Sequence, residues 1–503
     1  MFMHLTNVDF SYADSPASTI DDLTATFSEG WTGIVGNNGA GKSTVLKLVC
    51  GMLKPDSGTL HPSLRGVYCA QSTELPPENL LDFASDYAAP ALRLRSMLGL
   101  EDDWLWRYET LSHGERKRIQ IACALSLEPE VLAIDEPTNH LDAQTRDVLL
   151  SALESFKGIG LLVSHDRTLL DALVSRCLFL DAGEAVMVPG TYTEAKAQID
   201  LREQTVRSER KHARDQLSRI KSEADRRKSV AARSGVRRSG RNLDKHDNDG
   251  REKLRLAVVS GQDGKTGLIA AQMDKKIETA QKRLGDARAK KIYDKPLETR
   301  AEPAKRRFVA HITEGSIEMG ADRQLHHPEV FVGPTDRIGL HGRNGAGKST
   351  FLAALLSASF DTPEHVVYIP QEIGSEEGRE ILERLKSMDS SETGKILSIV
   401  ARLNSPPERI LAGEELSPGE LRKVLLAMGL LEQTHLIVMD EPTNHLDLTS
   451  IEALQDVLMQ CPCALVLVSH DDQFLSALTD VSWTFEEARS KGGERRDTVL
   501  VIS

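Results

Sequence analysis

GNNGAGKST at residues 36–44 returns as GRNGAGKST at 342–350, and this repetition decides the reading of the whole chain. Three more stretches repeat in the same order: LSHGE (111–115) as LSPGE (416–420), IDEPTNHLD (134–142) as MDEPTNHLD (439–447), and VSHD at 163–166 and again at 468–471. The offset is nearly constant, 306 residues for Lys42 to Lys348 and 305 for both Asp135 to Asp440 and His165 to His470. Each Gly-rich segment follows a short apolar stretch (TGIVG, RIGLHG) and precedes a helical one (STVLKLVCGML, STFLAALLSA). That is the strand, loop and helix context of a phosphate loop. The chain therefore reads as α/β, with two phosphate-binding P-loop modules.

The residue types at these positions suit ATP and Mg²⁺. Gly36, Asn37, Asn38, Gly39, Ala40, Gly41 and Thr44, with their counterparts Gly342, Arg343, Asn344, Gly345, Ala346, Gly347 and Thr350, form the loops whose N–H groups turn inward on phosphates. Lys42 and Lys348 add a point charge, and Ser43 and Ser349 offer a hydroxyl to the metal. Asp135 and Asp440 end apolar strands, where a carboxylate holds the magnesium shell. Glu136 and Glu441 come next and are the candidate general bases. His165 and His470 follow apolar strands and are placed to reach the γ-phosphate; Gln71 (YCAQ) and Gln371 (YIPQ) are candidates for sensing metal and water. Ser112, Gly114 and Glu115, like Ser417, Gly419 and Glu420, open helices whose positive ends suit an anion.

The net charge of −13 hides a segregation. Residues 201–307 carry 31 Lys and Arg against 16 Asp and Glu, a net of +15, which leaves −28 for the rest. Seven cations, Arg226, Arg227, Lys228, Arg233, Arg237, Arg238 and Arg241, stand together with no acid between them. A solvated helix face mixes signs; this one-sided run points to an RNA-binding arm. Its shape is legible too. Ile199, Val206, Ala213 and Ile220 fall seven apart, with Leu217 and Ala224 in the alternate slot, and Met273, Ile277, Ala280, Leu284 and Ala287 step by four and three. These are heptad seams of a two-helix antiparallel coiled coil. Forty residues of helix reach about 60 Å. Glycines 235, 240, 250, 261, 264 and 267 punctuate the stretch between, so an irregular tip is expected, with a short helix at 251–259. The expected domains are 1–192, a linker hairpin 193–307, and 308–503.

No apolar run approaches the roughly 18 to 20 residues that span a bilayer, and the N-terminus MFMHLTNVDFSY lacks the pattern of a signal peptide. Six cysteines lie scattered without metal-type spacing, so a cytoplasmic location is expected.

With these motifs the sequence resembles ATP-binding cassette proteins, and more narrowly their F subfamily, over essentially its whole length. The resemblance implies two cassettes in a head-to-tail sandwich within one monomer, with two ATP molecules at the interface. One site would combine Lys42, Ser43, Gln71, Asp135, Glu136 and His165 with the signature residues Ser417 and Gly419; the other would combine Lys348, Ser349, Gln371, Asp440, Glu441 and His470 with Ser112 and Gly114. Metal ligands would be Ser43, Gln71, Asp135, Ser349, Gln371 and Asp440. The sequence departs from the family in three places. His113 and Pro418 replace the signature's first glycine. Tyr12 offers an aromatic platform for adenine in the first half, whereas 309–330 contains no Phe, Tyr or Trp. The arm insertion and basic C-terminal extension of some housekeeping members have no counterpart.

The resemblance implies a ribosome-bound ATPase whose linker enters the tRNA exit region, touching rRNA and tRNA, with no permease and no DNA as partner. Antibiotic protection of the ribosome is the expectation, and a housekeeping role in translation the alternative. A transporter motor subunit is a weaker reading, because such subunits seldom carry a basic coiled coil between cassettes. A DNA-repair ATPase is weaker as well, because those chains place the coil between phosphate loop and signature.

Overall fold

The computed structural model describes residues 1–13, 18–138, 141, 143–181, 184–238, 273–282, 284–285, 297–320, 323–358, 365–412, 416–444, 446–488 and 497–502. In the first half, the strands Phe2–Phe10 and Ile20–Ser28 bury roughly every second residue and pair antiparallel, with Ser57–His61 on the far side of the former. Alternation of this kind is what a sheet with one wet face requires. The strands Val131–Asp135 and Ile159–Val163 are instead buried at every position, as parallel strands covered on both faces must be. They belong to a six-stranded sheet ordered Gly66–Cys69, Val131–Asp135, Ile159–Val163, Gly30–Gly36, Arg176–Asp181, Glu184–Pro189, parallel except for the last strand.

The second half repeats this order. Val366–Ile369, Leu436–Asp440, Ala464–Val468, Arg337–Gly342 and Val481–Glu487 run parallel and side by side, and Thr498–Ile502 is the antiparallel neighbour. In both halves the strand that feeds the phosphate loop lies next to the one ending before His165 or His470, and the strand ending in Asp135 or Asp440 lies one further out. Parallel direction brings all three C-terminal ends to one edge, where open α/β sheets bind ligands. An apolar core built on Ile34, Leu46, Ala133 and Leu161 lies against the first sheet. Two cores flank the second, one on Phe351 and Trp483 and one on Leu426 and Phe474, where the signature helix Pro418–Leu430 packs.

Contacts divide the chain into Met1–Ala195 with Tyr293–Ser503 as one unit, and Lys196–Ile292 as another. The helix Tyr192–Arg238 runs 47 residues, about 70 Å at 1.5 Å per residue. Within the second unit, Leu217, Ala224, Met273 and Ala280 are buried and Val206, Ala213, Ile220, Ile277 and Leu284 half-buried, while most of the charged residues between them are exposed. The two halves are thus joined by a long helical hairpin whose apolar seam is the one that the heptads mark. Arg226 and Arg227 are exposed, the latter paired with Glu223 one turn back. The side chains of Lys228, Arg233, Arg237 and Arg238, and all of Arg241, Ala287 and 251–259, lie outside the described residues. The chain from 297 to 304, placed with the linker by sequence, lies along the second half: Arg300 N–H donates to Leu430 O at 2.8 Å, Glu302 N–H donates to Thr434 O at 3.0 Å, and Ala301 and Ala304 are buried.

Candidate active site

Each phosphate loop turns into its helix (Lys42–Val49, Lys348–Ser357) through a glycine in the left-handed region, Gly41 at φ 89° and Gly347 at φ 95°. A Cβ on Gly41 would stand 2.5 Å from Ile20 Cδ1, so glycine is required here for both conformation and space. Neither helix has a side-chain cap, which leaves its first N–H groups facing the loop, as an anion site needs. Lys42 is buried and its Nζ donates to Gly36 O at 2.8 Å and Asn37 O at 3.2 Å; Lys348 Nζ donates to Gly342 O at 2.6 Å and Arg343 O at 3.3 Å. Burial lowers the Lys42 ammonium and the acids Glu136, Asp447 and Asp135 oppose that fall. A desolvated cation folded across its own loop is poised for phosphate charge.

Asp135 and Asp440 are buried at their strand ends. The Tyr68 hydroxyl donates to Asp135 Oδ2 at 2.9 Å, and the Ser349 hydroxyl donates to Asp440 Oδ2 at 2.6 Å. Ser349, Gln371 and Asp440 line one cavity of about 430 Å³ with residues 343–348, Glu441 and His470. An all-oxygen set beside a phosphate loop fits Mg²⁺. Ser349, Gln371 and Asp440 would hold it there, and Ser43, Gln71 and Asp135 in the first half.

Glu136 and Glu441 follow these aspartates with φ at 45° and 48°, a conformation that costs a β-carbon residue energy and marks functional positions when it persists. Their N–H groups donate to Val163 O and Val468 O, which locks each turn to the neighbouring strand. Oε2 of Glu136 accepts from His165 N–H at 3.1 Å and Oε2 of Glu441 from His470 N–H at 3.3 Å. Oε1 of each is buried without a hydrogen bond, although the imidazole Nε2 stands 3.1 Å away in the first half and 3.3 Å in the second. Burial pushes the Glu136 carboxyl up to about 8 and Glu441 up to about 7, against the pull of Lys42 and Lys348. Burial and Lys42 push His165 down to about 3, so its ring is neutral. Each half thus sets a buried carboxyl oxygen against a histidine ring, with the carboxyl raised toward neutrality, as suits a general base for water.

The structure brings the first phosphate loop against the second half. Asn38 N–H donates to Asp447 Oδ2 at 2.9 Å, and a cavity of about 820 Å³ is lined by Asn37, Asn38 and Gly39 together with Ser417, Pro418, Gly419, Glu420 and Lys423. On the other side, the described lining of the second loop's cavity comes from the second half; Ser112 and Ser417 are both exposed. Arg146 reaches Asp472 at 3.0 Å and His470 O at 3.3 Å, and Arg167 reaches Gln455 Oε1 at 3.3 Å. Both signature serines begin their helices alike, with capping boxes to Glu115 and Glu420. His113 and Pro418 therefore leave the helix start unchanged; proline suits the first helical position. Tyr12 is 40% exposed, with its hydroxyl 3.2 Å from Thr44 Oγ1. Met319 lines the cavity of the second phosphate loop.

Sequence reasoning passed over Tyr68, Lys117 and Arg422. Lys117 donates to Ala70 O and Gln71 O, and Arg422 to Gln371 O, each tying a signature helix to the glutamine loop of its own half. The signal was present: each cation lies five residues past its signature serine, and Tyr68 and Tyr368 precede their glutamines by three.

A family model described as ABC transporter matches residues 20–139 and 325–444. The ATP-binding protein Uup of Caulobacter vibrioides is 29% identical over 92% of this chain and 73% of its own length. The tylosin resistance ATP-binding protein TlrC of Streptomyces fradiae is 28% identical over 89% and 90%, and the ribosome protection protein VmlR of Bacillus subtilis 26% over 95% and 85%. The chain is a twin-cassette ATP-binding cassette protein of the F subfamily. It is an ATPase. A solved structure of an RNase-L inhibitor shares the fold, with a TM-score of 0.63 and 19% identity over 98% of this chain and 90% of that one. Among the described residues of the cassettes and the arm, no helix is long and apolar enough to cross a membrane.

Proposed function

We propose that this ATPase binds the ribosome when its cassettes hold ATP, and that its basic helical linker enters the region of the tRNA exit and peptidyl-transferase centre, protecting it from antibiotics. The observation that carries the reading is the 47-residue helix between the cassettes, with most of its described cations exposed and its described apolar residues in a seam. Such a helix is a stiff, polycationic lever, and phosphate contacts are what polycations make. Support for the ribosome as target comes from relatives named for ribosome protection and for tylosin resistance that cover most of this chain. A housekeeping role in translation is the second reading; the ATP-binding protein Uup, at comparable identity, has neither resistance nor protection in its name. The test is expression of the full chain and of a chain lacking 232–265 in an antibiotic-sensitive host. Protection predicts a raised inhibitory concentration for a drug acting at the peptidyl-transferase centre, abolished by the deletion. An unchanged drug response with altered growth or polysome profiles would select the housekeeping role.

A further inference from the structure

Two helices lead toward the signature serines, Ala89–Met97 in the first cassette and Ser390–Arg402 in the second. Each is followed by a residue in left-handed backbone, thirteen positions ahead of its serine: Gly99 at φ 56° and Asn404 at φ 59°. The two helix ends match bond for bond. Gly99 N–H donates to Ser96 O and Asn404 N–H to Ala401 O, both at 3.2 Å. Six residues past each signature serine a cation reaches the same carbonyl: Arg118 donates to Gly99 O at 3.3 Å, and Lys423 to Asn404 O at 3.5 Å. Glycine is the usual occupant of such a position, and asparagine is among the few side chains tolerated there. The second cassette has accepted that cost, and the contacts of the side chain give the reason.

Asn404 Nδ2 donates to Asn37 Oδ1 at 3.3 Å, across the interface in the first cassette's phosphate loop. It also donates to Thr449 Oγ1 at 3.0 Å, whose hydroxyl donates to the same Asn37 oxygen at 2.6 Å. The next loop residue, Asn38, is held by Asp447 at 2.9 Å. Asn38 and Asp447 recur at the other site as Asn344 and Asp142, but Asn37, Asn404 and Thr449 do not. The second loop has Arg343 where the first has Asn37, and the first cassette has Gly99 and Gln144 where the second has Asn404 and Thr449. Arg343 turns to Glu487 of its own cassette at 3.3 Å.

We propose that Asn404 is a positioning residue for nucleotide at the first-cassette site: with Thr449 it latches Asn37, holding that phosphate loop against Ser417, so that the two ATP sites bind nucleotide unequally. A loop already docked on its signature partner gives up less freedom when ligand arrives, and that preorganisation appears as affinity. At the second site Gly99 has no side chain to donate and Arg343 no side-chain acceptor, so this latch has no counterpart there.

The test reads each site separately in the full chain. The Glu136→Gln/Glu441→Gln protein is photolabelled with 8-azido-ATP over a concentration range, the linker is then cut by protease, and label is counted in each cassette. The first cassette should half-saturate at lower concentration than the second. Asn404→Gly and Asn37→Ala should each weaken the first cassette by about 3- to 10-fold, as expected for removal of one or two side-chain hydrogen bonds, and leave the second unchanged. The double variant should be no weaker than either single one, because both remove the same interaction. Glycine fits the left-handed turn, so Asn404→Gly should melt no lower than the parent, which separates loss of the latch from loss of fold. Equal shifts in both cassettes, or no shift in the first, would overturn the proposal.

Discussion

A buried carboxyl oxygen with no donor is costly unless a ligand or a proton answers it, and Glu136 and Glu441 both carry one beside a phosphate loop. Replacing both by glutamine keeps the cradle of Lys42, Ser43 and the loop N–H groups but removes the base. ATP binding should persist while hydrolysis falls by on the order of 10²- to 10⁴-fold; turnover at the parent rate would remove both glutamates from the mechanism. The same residues set a pH signature in the nucleotide-free protein. Burial holds Glu136 protonated up to about 8 and Glu441 up to about 7, against an ordinary value of 4.5. Between those values the folded chain keeps protons that the unfolded chain has released, so stability falls as pH rises through the window. Melting temperatures measured from about pH 5.5 to about pH 8.5 should therefore fall more steeply for the parent than for the double glutamine variant, which has no proton to lose. Parallel curves would mean that the carboxyls are not desolvated in solution.

The helical arm separates charge from packing, and variants can separate them too. Replacing Arg226, Arg227, Lys228, Arg233, Arg237, Arg238 and Arg241 with glutamine should leave melting unchanged but make ribosome affinity less dependent on salt, by roughly 0.7 to 0.9 in log-log slope for each phosphate that is no longer neutralised. Polar substitutions at Leu217 or Ile277 should instead lower the melting temperature, because these residues sit in the apolar seam. An unaltered salt slope would mean that the cluster only meets solvent. Elements of this kind were legible because their signals are local or repeated. The phosphate loops, the strand-end acids and the seam each follow from spacing within one stretch, and duplication doubled every motif. What stayed hidden depends on distant chain segments meeting. Asn404 reads as an ordinary polar loop residue until Asn37, 367 residues away, is placed beside it. Tyr68 gains its meaning only when its strand pairs with the one ending in Asp135, and the chain around Arg300 reads as linker until Leu430 and Thr434 accept its N–H groups.

At the scale of the molecule, the first phosphate loop and the opposite signature line one cavity, so nucleotide bound there would touch both cassettes. The proposed function couples nucleotide held between the cassettes to the polycationic arm, so that nucleotide state governs ribosome binding. The most direct test of this claim is sedimentation of the Glu136→Gln/Glu441→Gln chain with purified ribosomes, with ATP and without nucleotide. The account predicts that the chain pellets with ribosomes when ATP is present and that most stays in the supernatant without it, with pelleting abolished when 232–265 are deleted. Equal pelleting with and without ATP, or no pelleting in either case, would contradict it.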